Sequence, residues 1–73
     1  MRLSECKPGG GGSIKQIHGT GPLTQRLMEL GLIEGTVVKV VRVAPLGDPI
    51  EVEVHNYHLS LRKTEAEGVE LDA

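Results

Sequence analysis

The sequence predicts a mostly β fold, a small barrel of about five short strands with one inserted α-helix. Two observations carry this. Hydrophobic residues make up 38% of the 73-residue chain, but there is no Phe or Trp and a single Tyr, so the core must be aliphatic. The Val, Leu and Ile residues also cluster in short, β-branched runs separated by glycine and proline, the pattern of strands packed on a pleated surface. A chain this short buries only about 60% of its unfolded surface, which limits it to one modest core.

The elements follow in order. Leu3 to Lys7 reads as a short edge strand or a docked terminal segment, and Pro8 with Gly9 to Gly12 reads as a loop. Ser13–Ile17 is a strand whose Ile14 and Ile17 lie three apart, which calls for a bulge or bend. Pro22 opens a helix, capped by Thr20 or Gly21, with Leu23, Leu27 and Leu30 on one apolar stripe and Gly31 placed to end it. Val37–Val43 is apolar on both faces and is predicted to be central. Ile50, Val52 and Val54 alternate with Glu51 and Glu53, giving one buried and one acidic face. Leu59 and Leu61 continue the alternation after a turn at His55-Asn56-Tyr57. Val69 and Leu71 form a last strand after a turn near Lys63 to Gly68.

Charge and motif content narrow the function. The net charge is −2, and the eight basic residues are spread along the chain, without the basic face and stacking aromatics of a nucleic-acid binder. No nucleic-acid partner is expected. The glycine run lacks the Lys-Ser/Thr of a phosphate loop, because Gly12 is followed by Ser13-Ile14, and Gly19-Thr20-Gly21 has Thr24 where a dinucleotide fingerprint needs its third glycine. No catalytic constellation has a recognisable setting, so the chain is not expected to be an enzyme. Cys6 is the only cysteine, which fits a reducing compartment. Met1 to Gly12 has no apolar core and no apolar run approaches the roughly 20 residues of a membrane span, so a soluble, cytoplasmic chain is expected. Cys6, His18, His55 and His58 match no metal-ligand spacing. His55 and His58 are the only pair predicted to flank one turn, with Glu53 as a third donor.

The motif order adds a resemblance. Leu27-Met28-Glu29-Leu30-Gly31-Leu32, Glu34-Gly35-Thr36, Ala44-Pro45-Leu46-Gly47-Asp48-Pro49 and Leu59-Ser60-Leu61-Arg62 with Glu65-Ala66 closely resemble the ferrous iron transport protein A (FeoA) domain pattern, from Leu3 to about Leu71. The resemblance implies an SH3-like barrel, like the C-terminal domain of iron-dependent repressors of the diphtheria toxin repressor type. Residues 1–73 are then a single domain with a flexible glycine-rich loop over 8–13, within which Gly9 to Gly12 depart from the family pattern. It also implies a cytoplasmic accessory protein at the inner face of the membrane, docking on a ferrous iron permease that carries a GTP-binding domain. The candidate docking residues are Arg26, Met28, Glu29 and Gly31 at the helix end, with the loop Pro45, Leu46, Gly47, Asp48 and Pro49. Leu23, Leu27 and Leu30 are reserved for the core. The alternative is a regulatory domain binding a divalent transition metal (iron, manganese or zinc), with His55 and His58 as the sensing pair. Oligomeric state is not readable from the residues.

Overall fold

The computed structural model describes residues 1–19 and 21–72. Its elements are a 3-10 helix (Leu3–Glu5), β1 (Gly11–Ile17), α1 (Pro22–Glu29), β2 (Val37–Val43), β3 (Ile50–Val54), β4 (Tyr57–Leu61), α2 (Lys63–Glu67) and β5 (Val69–Leu71). The strands form one antiparallel sheet in the order β4-β3-β2-β1-β5. The mostly β architecture is as predicted. The barrel, however, is not closed: no ladder joins β4 to β5 among the described residues. The outer side of β5 is taken instead by the N-terminal residues, with Leu71 N–H donating to the Met1 carbonyl at 2.7 Å and Arg2 bridging to Glu70.

Alternation fixes which face is buried. Ile50, Val52 and Val54 of β3 are buried while Glu51 and Glu53 point outward, and Val38 and Val40 of β2 join the same core. Ile14, Leu61, Val69 and Leu71 complete its sheet side, and Leu3, Leu27, Leu32 and Ala66 cap it. Each such side chain contributes about 1.5–3 kcal/mol on burial. The bulge expected in the first strand lies between Ile14 and Gln16, where the β1–β5 register shifts.

Several expectations are corrected. Gly11 and Gly12, read as loop, are the first residues of β1 and pair with Lys39 and Val38. A Cβ on Gly11 would lie 2.1 Å from the Val38 carbonyl oxygen, so only glycine permits this approach. Gly9 N–H also donates to the Val40 carbonyl at 2.8 Å. Of the two readings of Leu3 to Lys7, the docked segment is the one found, with Leu3–Glu5 as a 3-10 turn. β2 is central, but its second face is uncovered, with Val37 and Val41 exposed. Lys63–Glu67 is a helix where a turn was expected.

α1 begins at Pro22 with Gly21 as N-cap, and Gly31 at φ 93° takes the left-handed position after its end. The alternative cap, Thr20, lies outside the described residues. Of the leucine stripe, Leu27 is buried and Leu30 packs against the core, but Leu23 is 46% exposed. Leu23 sits in the first turn of the helix. His55 and Asn56, at φ 50° and 68°, make the two-residue turn that joins β3 to β4, matching the right-handed twist of the strands.

Candidate functional site

The predicted docking residues fall into two groups. At the end of α1, Met28 is 52% exposed and Glu29 is exposed, and no Lys or Arg nitrogen among the described residues pairs with Glu29. Gly31 has a different role. A Cβ there would meet the His55 ring at 3.3 Å and the Tyr57 hydroxyl at 3.4 Å, and Tyr57 donates to the Leu30 carbonyl, so Gly31 lets the helix end sit under the β3–β4 hairpin. Arg26 is also engaged: it pairs with Glu65 of α2, which is 1% exposed and accepts from Arg62 N–H at 2.8 Å. A buried carboxylate needs such partners.

The second group, Pro45 to Pro49, joins β2 to β3. Ala44 N–H donates to the Pro49 carbonyl at 3.0 Å and Gly47 N–H to the Ala44 carbonyl at 2.7 Å. This turn holds Leu46 out in solvent at 96% exposure. Asp48 Oδ1 accepts from Lys63 N–H at 3.0 Å, satisfying an otherwise unpaired donor in the first turn of α2. The two groups are not adjacent. The loop precedes Ile50 and the hairpin beside Gly31 follows Val54, so they sit at opposite ends of β3, about 13 Å apart at the rise of a strand.

The histidine pair does not converge. His55 stacks on Tyr57, with ring centroids 6.4 Å apart. His58 stands on the outer face of β4, its Nδ1 3.2 Å from Glu51 and its Nε2 3.6 Å from Glu53. Glu53 is thus a neighbour as expected, but of His58 with Glu51 rather than with His55. The two ring nitrogens point to opposite sides, so the carboxylates flank the imidazole and share no common point with it. No group of three or more potential ligands able to hold a metal ion occurs among the described residues.

The sequence reading named His18 and Cys6 but missed their surroundings. His18 Nε2 bonds Glu70 Oε1 at 2.5 Å, and Lys15 Nζ lies 3.8 Å from Glu70. The His18 hydrogen bond outweighs the opposing effect of burial and, with lesser help from the charges of Lys15, His18 and Arg2, holds the Glu70 carboxyl below its ordinary value. The register signal for this pair is the alternation through Glu70, which puts it beside β1. The other is Cys6, buried under the terminal segment, whose thiol is pushed up by burial and by Glu5. It therefore stays protonated and is packing rather than a reactive group.

A five-stranded antiparallel sheet with a short inserted helix defines a small SH3-like domain. Solved structures of this kind are similar along nearly the whole chain. Iron(II) transport protein A from Clostridium thermocellum has a TM-score of 0.90 at 40% identity, covering 96% of this chain and 43% of that one. FeoA of Stenotrophomonas maltophilia, described as an SH3 domain protein and solved with zinc, has a TM-score of 0.75 at 33% identity, covering 99% and 89%. The chain belongs to the FeoA family, since the FeoA domain profile matches residues 1–73. It is 36% identical over 99% of its length to the Fe(2+) transport protein A/Fe(2+) transporter FeoB fusion protein of Porphyromonas gingivalis, of which it spans 8%. IdeR of T. acidophilum shares the fold alone, with a TM-score of 0.83 at 24% identity over 99% of this chain and 34% of that one. No helix among the described residues is long and apolar enough to cross a membrane.

Proposed function

We propose that this chain is an accessory domain of ferrous iron uptake that docks, from the cytoplasmic side of the membrane, on the permease and modulates its GTP-binding domain. The observation that carries the proposal is the relative in which this domain and an Fe(2+) transporter are one polypeptide. Covalent linkage supplies a high effective concentration, so two modules that meet weakly as separate chains are held together in the fused form. The docking surface we assign comprises Met28 and Glu29 at the end of α1 and Leu46 in the Pro45–Pro49 loop, all exposed. Arg26 and Gly31 support the first part through α2 and the hairpin.

The test is an NMR titration of the labelled chain with the soluble cytoplasmic region of its own organism's transporter, repeated with GDP and with a non-hydrolysable GTP analogue. Shifts at Met28, Glu29 and Leu46 that depend on nucleotide support docking with regulation. An unchanged spectrum at high partner concentration removes the reading.

A second reading, a metal-responsive regulatory domain, draws on the zinc complex of the Stenotrophomonas relative. Here the candidate ligand is His58, between Glu51 and Glu53. Micromolar manganous ion, or ferrous ion without oxygen, should then shift the His58 ring resonances. No shift at millimolar metal discards this alternative.

A further inference from the structure

The two edges of the sheet are treated differently. On β5 the outer edge is closed by Met1 and Arg2. β4 is the other end of the sheet, and beyond β3 it has no ladder partner among the described residues. Its two-residue turn makes Val54 and Tyr57 a hydrogen-bonded pair, so Tyr57, Leu59 and Leu61 direct their peptide groups to β3. The N–H and C=O groups of His58 and Ser60 therefore point away from the sheet. No hydrogen bond from any described residue reaches these four groups. β4 also contains no Pro, Lys or bulge, the devices that usually blunt an edge, and its register to β3 is regular throughout.

Position and charge say what covers this edge. β4 runs from Tyr57, which holds the end of α1, to Leu61, just before Lys63, which holds Asp48. It thus connects the two otherwise separate parts of the docking surface. Across β3 and β4 the outer face presents Glu53 behind His58 and Glu51 behind Ser60. Ser60 is short, so a long basic side chain on a strand beyond it can pass over it toward Glu51, at an interstrand spacing of about 4.8 Å, where it would compete with the exposed Arg42, 3.6 Å from Glu51. Past Leu61 the exposed charges change sign at Arg62 and Lys63.

We infer that the β4 edge accepts an extended segment of the transporter's cytoplasmic region, added as a sixth strand. The segment would carry Lys or Arg opposite Ser60 and an acidic residue beside Arg62 and Lys63. This rests on the docking reading above and names the element that carries it. Main-chain bonds to His58 and Ser60 supply affinity, and the charge alternation supplies register. One short strand is a small contact compared with the roughly 1,200 Å² of a stable interface, which suits a partner held nearby or fused in the same chain.

The probe is the soluble cytoplasmic region of the organism's own transporter, titrated against the full chain by NMR and calorimetry. Binding should shift the His58 and Ser60 amides and protect them from solvent exchange. Ser60→Pro removes an outward N–H without touching the β3 ladder, so it should weaken binding about tenfold while the rest of the spectrum keeps its native dispersion. Glu51→Lys should weaken it roughly threefold, an effect that fades at high salt, and it decides the matter if the proline variant fails to fold. Native affinity in both variants, or shifts confined to α1 and the Pro45–Pro49 loop, would overturn the edge proposal and leave docking intact. Absence of any binding by the unaltered chain removes docking and the edge proposal together. Self-association lost in Ser60→Pro, without edge protection by the transporter region, would assign the edge to a second copy and overturn it as well.

Discussion

Glu65 and Glu53 are the same residue in two opposite settings, and the contrast separates what holds this fold from what it displays. Glu65 lies on the buried side of α2, almost without solvent contact, and joins that helix to α1 through Arg26 while accepting from the Arg62 amide. Glu53 stands on the outer face of β3 beside His58 and Glu51, with water around all three. A carboxylate in the first setting must be fully partnered or the region does not form. In the second, water competes with every partner, so the ion pairs add little stability and the charges are free to meet something else.

The comparison breaks first at Glu65. Glu65→Ala removes the acceptor of the Arg62 amide, empties a filled site and releases Arg26, and should destabilise the chain by about 3 kcal/mol in chemical denaturation. For a domain this marginal, that is a large share of the total. Arg26→Ala strands the same carboxylate from the other side. Because the Arg26 side chain is itself 54% exposed, water can replace part of its contact, and the loss should be nearer 2 kcal/mol. If both variants melt like the unaltered chain, Glu65 is not the strut its burial implies.

Little of this setting was legible in the sequence, for physical reasons. Glutamate is normally exposed, and Lys63–Glu67 is one turn whose only apolar residue is Ala66, preceded by Arg62 rather than a Ser, Thr, Asp or Asn cap, so neither α2 nor its buried acid announces itself. The outer setting was plain, since the alternation of Ile50, Val52 and Val54 with Glu51 and Glu53 dictates both faces. Gly11 and Gly12 misled because glycine reads as loop by its freedom, whereas here the close approach of the Val38 carbonyl requires it within a strand. As for the candidate site, the end of α1 and the Pro45–Pro49 loop were visible as segments. Their separation by the length of β3, and the open edge running between them, depend on strand order, which periodicity does not encode.

Between the two extremes stands Glu70, partly covered and held by His18 and Lys15. Its carboxyl lies below its ordinary value of 4.5, chiefly through the His18 hydrogen bond. A depressed acid contributes stability that is present above its unfolded pKa and lost as pH falls through its folded pKa. Glu70→Gln should therefore lower Tm at neutral pH and leave a flatter decline below about pH 4.5 than the unaltered chain shows. Parallel declines would mean that other carboxylates govern acid unfolding.

The smallest effect is expected where the charges are most numerous. Glu53→Gln and His58→Ala should each change stability by less than about 0.5 kcal/mol, because both side chains are about half exposed and surface ion pairs of this kind are worth little. A larger loss in both, with coupling in the double variant, would mean that the His58–Glu51–Glu53 row holds the hairpin as Glu65 holds α2. Silence in both would leave a regular strand edge, a histidine and a carboxylate with no part in stability, which is the condition for a surface kept available to a partner.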